Sequence, residues 1–111
     1  MPSNGYIYLA SPYSHEYKEI EQERFELACK YTELPISQGF MVFSPIVHCH
    51  PLRTSIGTTA LAWIQYNKTM LRFASELWVL RLPGWEDSKG IKAEIEFSRM
   101  LGQTYQYVDP V

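Results

Sequence analysis

Glu76-Leu77-Trp78-Val79-Leu80-Arg81-Leu82-Pro83-Gly84-Trp85-Glu86-Asp87-Ser88-Lys89-Gly90-Ile91-Lys92-Ala93-Glu94 is the stretch whose reading decides the fold. Glu76 to Leu82 reads as a strand, and Leu77-Trp78-Val79-Leu80 has the nearly continuous apolar character of a parallel strand covered on both faces. Pro83 and Gly84 end it. Ser88 is placed to cap a helix running from about 89 to 101, with Ile91, Ile95, Met100 and Leu101 available for packing. Strand, short loop and helix in that order imply a parallel α/β unit. They place Glu94 in the opening turns of a helix beside a strand's carboxyl end, the edge at which open α/β sheets bind ligands.

The same alternation continues outward. Residues 5–10, Gly-Tyr-Ile-Tyr-Leu-Ala, read as a first strand broken by Ser11-Pro12-Tyr13-Ser14. From about 15 to 37 the period is helical, with Tyr17, Ile20, Arg24, Leu27, Ala28, Tyr31 and Leu34 on one stripe and most glutamates elsewhere; Pro35 and Gly39 fit its end. Phe40-Met41-Val42-Phe43 is a second strand closed by Ser44-Pro45. A long loop is expected through His48, Cys49, His50 and Pro51 to Gly57, then a helix over 59–74 with Ala60, Ile64, Met70 and Phe73 among its apolar residues. Tyr105 to Val108 completes the series as a short strand. The order βαβαβαβ predicts a small parallel sheet with helices on both faces and right-handed crossovers. A length of 111 residues leaves room for one domain, taken as 1–111.

Composition narrows the function. A net charge of -2 argues against a general surface for polymeric nucleic acid. No apolar run approaches the roughly 20 residues of a membrane helix, and no basic region precedes Ile7-Tyr8-Leu9, so a cytoplasmic protein without signal peptide is expected. Cys29 and Cys49 do not make a disulfide framework; Cys29 reads as a small core residue. Eight Tyr and three Trp in so short a chain exceed what its core hides easily, so some rings are expected to line a pocket or a subunit interface.

The strand ends, Ser11-Pro12-Tyr13, Ser44-Pro45 and Pro83-Gly84-Trp85, converge on one edge in this topology. Each candidate there has a structural reading beside a functional one. Glu94 is either a solvated carboxylate favoured by the helix dipole or a nucleophile whose ionised form that dipole supports. A carboxylate beside an anomeric carbon can displace a base and form a covalent glycosyl intermediate. Ser88 and Gly90 are a cap and its flexible neighbour, or a hydroxyl and backbone N–H groups for a phosphate or sugar hydroxyl. Tyr8 is a core tyrosine or the group that orients Glu94. Tyr13 and Trp85 stack on a base or pack an interface. Arg24 snorkels from its apolar stripe or reaches an anionic substrate. Asn67 reads a base edge or caps local backbone. His48-Cys49-His50 lacks the companions of a metal site, so no metal is expected; a loop histidine such as His48 touching substrate is the better reading.

With Tyr8-Leu9-Ala10-Ser11-Pro12-Tyr13, Phe43-Ser44-Pro45 and Leu80-Arg81-Leu82-Pro83-Gly84-Trp85-Glu86-Asp87-Ser88-Lys89-Gly90 in view, the chain resembles the nucleoside 2-deoxyribosyltransferase-like superfamily, closest to its DUF1937 branch. The resemblance spans almost all of 6–108, and Leu82-Pro83-Gly84-Trp85 followed by Ser88, Gly90 and Glu94 is its most specific part. It implies a small Rossmann-like (flavodoxin-like) three-layer α/β fold with a parallel sheet of about four to five strands. It implies a retaining N-glycosidase or deoxyribosyltransferase, cleaving the N-glycosidic bond of a 2'-deoxynucleoside or its 5'-monophosphate with no cofactor. The alternative is a non-catalytic nucleotide-binding module.

By motif, Glu94 matches the nucleophile, Tyr8 the tyrosine bonded to it, and Ser88 the position at the sugar or 5'-phosphate. Asn67 stands where transferases often carry a base-protonating aspartate; an amide binds a base but is no general acid. Ser11, Tyr13, Arg24, Ser44, His48, Asn67, Trp85, Ser88 and Gly90 form the expected binding set. The partners implied are a small nucleoside or nucleotide and, as in many relatives, further copies of the chain in a homodimer or higher oligomer.

Overall fold

The computed structural model describes residues 5–56 and 60–110. Its elements are β1 (Ile7–Ala10), α1 (Lys18–Ser37), β2 (Val42–Phe43), α2 (Pro45–Ile56), α3 (Ala60–Arg72), β3 (Glu76–Leu80), a 3-10 turn at Trp85–Asp87, α4 (Lys89–Met100) and β4 (Tyr105–Val108). The strands form one parallel sheet in the order β2-β1-β3-β4, with Tyr8 opposite Phe43 and Leu77, and Val79 opposite Tyr107. This is the Rossmann-like α/β sheet expected, with four strands and four helices.

Alternation along the two central strands divides the core between the faces. Tyr8 and Ala10 of β1 and Leu77 and Val79 of β3 pack with Leu71 and Ala74 from the end of α3 and with Ile91 of α4. Leu9, Trp78, Leu80 and Leu82 meet Leu27 and Tyr31 of α1 on the other face. Burying each such large apolar side chain contributes roughly 1.5–3 kcal/mol. That is why β1, buried throughout, is fixed in register.

Several expected boundaries shift for local reasons. Helix α1 starts at Lys18 rather than near 15. The His15 amide donates to Glu21 and the Tyr17 amide to His15 Nδ1, so these residues fold back over the helix end instead of joining it. Gly39, at φ +97°, ends the turn after Pro35, as its position predicts. The expected loop over 48–57 is a helix as far as Ile56. The Val47 amide donates to Ser44 Oγ at 3.3 Å, the His48 amide to the Ser44 carbonyl at 3.1 Å, and Pro45 occupies the first helical position. Burial of Ile46 and Cys49 outweighs the interior proline at 51. Gly57 and the helix start expected at 59 lie outside the described residues.

Helix α3 stops at Arg72, because Gln103 Nε2 takes the Leu71 and Ala74 carbonyls, both at 2.9 Å, and Ser98 Oγ donates to Gln103 Oε1. Its packing residues are Met70 and Leu71, joined by Ala74 just beyond its end, whereas Ile64 and, after the helix, Phe73 are exposed. On α4, Ile91 and Ile95 pack as expected, but Met100 and Leu101 face out. No disulfide joins Cys29 and Cys49; Cys29 is half-buried rather than a core residue. Among the described residues no helix is long and apolar enough to cross a membrane.

Candidate active site

Two neighbouring elements build the floor of the site. Tyr8, fully buried on β1, points toward α4, where Glu94 falls in the second turn. The Tyr8 hydroxyl donates to Glu94 Oε2. Burial, followed by the neighbouring carboxylate, raises the Tyr8 pKa well above its ordinary value, so the phenol stays protonated. Burial pushes Glu94 up from 4.5 to about 7, and the Tyr8 hydrogen bond opposes that rise. The dipole reading of Glu94 is therefore corrected. A helix N-terminus acts mainly within its first turn, and desolvation of the carboxyl outweighs it here.

The pair opens into a cavity of about 710 Å³, within the range that takes a small-molecule ligand. One wall is the start of α4. Ser88 caps this helix, accepting from the Ile91 amide at 3.2 Å, and Ser88, Lys89 and Gly90 line the cavity. The loop after β1 adds Ser11 and Tyr13. Ser11 Oγ is buried with no hydrogen-bond partner among the described residues, an arrangement that a ligand hydroxyl or phosphate oxygen would complete.

The opposite wall is made by α2 and α3. Cys49 Sγ donates to Asn67 Oδ1 at 3.6 Å, and both residues line the cavity. His50, Trp63 and Lys68 complete this wall. Tyr13 Oη lies 2.6 Å from His50 Nδ1, and His50 Nε2 lies 2.9 Å from Gln22 Oε1.

Seven of the residues singled out in the sequence therefore meet in one cavity: Tyr8, Ser11, Tyr13, Asn67, Ser88, Gly90 and Glu94. Four do not line it. Arg24 bonds the Tyr13 and Ser14 carbonyls at 3.4 and 3.0 Å, so it holds the loop rather than reaching for a ligand. Ser44 caps α2. His48 stacks on Tyr66 at 5.1 Å, because a helix at 45–56 points positions 48 and 50 in different directions. Trp85 packs against Tyr107 at 5.4 Å. Glu96, on the same helix, is exposed. Lys68, Lys89, Trp63 and the Cys49–Asn67 contact went unread. His50 was weighed only with its neighbours, although Ser44-Pro45 as a cap and first helical residue would have put Ile46 and His50 on one face. Among the described residues no three His, Cys, Asp or Glu side chains converge as metal ligands.

Comparison with known proteins follows this geometry. The profile of the family described as "Domain of unknown function (DUF1937)" matches residues 5–108. A solved structure of a 2-deoxyribosyltransferase from the psychrotolerant bacterium Bacillus psychrosaccharolyticus superposes with a TM-score of 0.64 at 20% identity, over 95% of this chain and 72% of that one. At that identity the likeness is one of fold. No curated protein matches.

Proposed function

Taking as premise that the chain belongs to the DUF1937 family, we propose that it cleaves the N-glycosidic bond of a 2'-deoxynucleoside or its 5'-monophosphate, with retention, through Glu94. The observation that carries this reading is the hydrogen-bonded pair of fully buried Tyr8 and half-buried Glu94 at the floor of a cavity large enough for a nucleoside. Glu94 attacks C1', the base leaves, and water or a second base releases the sugar. Tyr8 holds the attacking carboxylate in place and, being itself hard to ionise, adds no competing charge.

A pKa raised to about 7 suits this chemistry. A poorly solvated carboxylate gains most when positive charge develops on the sugar ring beside it. Ser11 Oγ, Ser88 and the first N–H groups of α4 hold the sugar end, where Lys68 and Lys89 also favour an anion. Asn67, whose Oδ1 accepts from Cys49, offers its amide to the base, and Tyr13 lines the same cavity.

The experiment is free-base release by chromatography from a panel of deoxynucleosides and their monophosphates, with and without an acceptor base, alongside Glu94→Gln. Release lost in the variant is expected, and acceptor dependence separates transferase from hydrolase. Nucleotide binding without turnover is a second reading, favoured by Asn67, whose amide supplies no proton to a departing base. It predicts binding that Glu94→Gln leaves intact and no base release from the wild type.

A further inference from the structure

Two loops that leave neighbouring strands contribute to the cavity. The loop after β1 carries Ser11, Tyr13 and Ser14, and the loop after β3 carries Asp87 and Ser88. The ladder between the two strands ends at the Ala10–Val79 pair, so beyond it the spacing of the loops is set by contacts outside the sheet.

Arg24 reaches both loops. It lies in the second turn of α1, half-buried, and does not itself line the cavity. Its Nη1 donates to the Tyr13 carbonyl at 3.4 Å and to the Ser14 carbonyl at 3.0 Å. Its Nη2 lies against Gly84, where an added Cβ would sit 2.5 Å from Nη2 and 3.5 Å from Cζ. Among the described residues no carboxylate pairs with Arg24, so backbone is what holds its guanidinium. A planar fork with fixed donors can bond carbonyls along one edge and abut a glycine along the other.

Gly84 is joined to the cavity wall by backbone bonds. Its carbonyl accepts from the Asp87 amide at 3.2 Å, and the Ser88 amide donates to the Trp85 carbonyl at 3.3 Å. Ser88 then caps α4. A displacement at Gly84 is therefore passed to Ser88 and the start of α4.

We propose that Arg24 is a positioning residue that sets the distance between the two loops and, through it, affinity for the sugar end of the substrate. The identity of that substrate rests on the N-glycosidic reading above. Arg24 touches no reacting atom and acts through Tyr13, Ser14 and Gly84. Ser11, whose buried Oγ has no partner, and Ser88 stand on opposite loops, so a ligand held by both depends on their spacing. The Tyr8–Glu94 pair rests on β1 and on the packing of Ile91 instead, and it stays in place when the clamp is lost. Binding lost equally from ground and transition states raises KM and leaves kcat.

The test is a double-mutant cycle on base release, with kcat and KM read separately for the fastest-cleaved compound of the deoxynucleoside and monophosphate panel, and with calorimetric binding measured across that panel. Arg24→Met keeps the apolar stem and removes the guanidinium; KM rises about tenfold or more, with kcat within about threefold of wild type. Gly84→Ala pushes the guanidinium from its seat and raises KM in the same way. In the Arg24→Met background the new Cβ has no guanidinium to displace, so the double variant keeps the KM of Arg24→Met alone. Arg24→Lys, with one nitrogen in place of the fork, falls between wild type and Arg24→Met, and replaces the latter should it not fold by circular dichroism. KM effects that multiply in the double variant, or a fall in kcat at unchanged KM, overturn the inference. If the wild type releases no base but its calorimetric affinity follows the same non-additive pattern, the clamp stands and the N-glycosidic reading fails. A wild type that neither cleaves nor binds any member of the panel overturns both.

Discussion

The two walls of the cavity are built differently. The Tyr8–Glu94 side rests on a central parallel strand and on α4, with Tyr8 fully buried and packed in the sheet's core. The opposite side is a set of helical side chains, Cys49 and His50 from α2 and Asn67 from α3, held by hydrogen bonds that cross from element to element. On the first side, packing fixes geometry and burial sets charge. On the second, polar contacts fix orientation and leave donors facing the ligand. In the reaction proposed above, attack on a sugar carbon falls to the one carboxylate held by the first wall, and recognition of a base to the polar groups of the second.

Substitutions on either side separate these roles. The largest effect is expected for Glu94→Gln, with base release reduced on the order of 1000-fold or more. The same variant sharpens the burial argument through stability. Glu94 titrates at about 7 in the fold against an ordinary value of 4.5. Its contribution is fully present below the ordinary value and lost as pH rises through the folded one. Glu94→Gln removes that loss, so the variant is more stable than wild type at pH 8 by up to roughly 3 kcal/mol, and the gap closes near pH 4. Thermal unfolding at the two pH values measures it. In the wild type, kcat/KM climbs with pH up to about 7 as the carboxylate forms.

Next comes Tyr8→Phe. It deletes the hydrogen bond that lowers the Glu94 pKa, so the rising limb of the pH–rate profile moves to higher pH. The rate falls by about 10- to 100-fold, the equivalent of leaving one buried acceptor unpaired. A profile shifted the other way would break the assignment of Tyr8 as donor.

Gly84→Ala probes the far side at a distance. Gly84 sits at φ +93°, and an added Cβ would lie 2.5 Å from Arg24 Nη2. The expected cost is about 1–2 kcal/mol. Because Arg24 holds the Tyr13 and Ser14 carbonyls, base release should weaken as well. The smallest effect is Ser88→Ala, which costs the cap of α4 about 1 kcal/mol of stability in a denaturant titration.

The same contrast explains what the sequence disclosed. The parallel sheet and Glu94 were legible in 76–94, because apolar runs, a Pro-Gly break and a serine cap are local signals. Helix α2 was not, because Pro51 and the His48-Cys49-His50 run argue for a loop when taken locally. Burial of Ile46 and Cys49, supplied by the rest of the fold, reverses that preference. The Gln22–His50 and Cys49–Asn67 contacts join residues 28 and 18 positions apart, and no spacing rule announces them. The raised Glu94 pKa is not legible in the sequence for a related reason. A dipole can be read from a helix start, whereas desolvation depends on everything packed around the carboxyl.

Tyr8 and Glu94 are 86 positions apart, and β1 lies inside the sheet. The strand that carries Tyr8 therefore cannot complete its hydrogen-bonded pair until α4 has docked. Such high contact order slows folding. On the reading proposed above, loss of α4 would remove both the nucleophile and the group that Tyr8 holds.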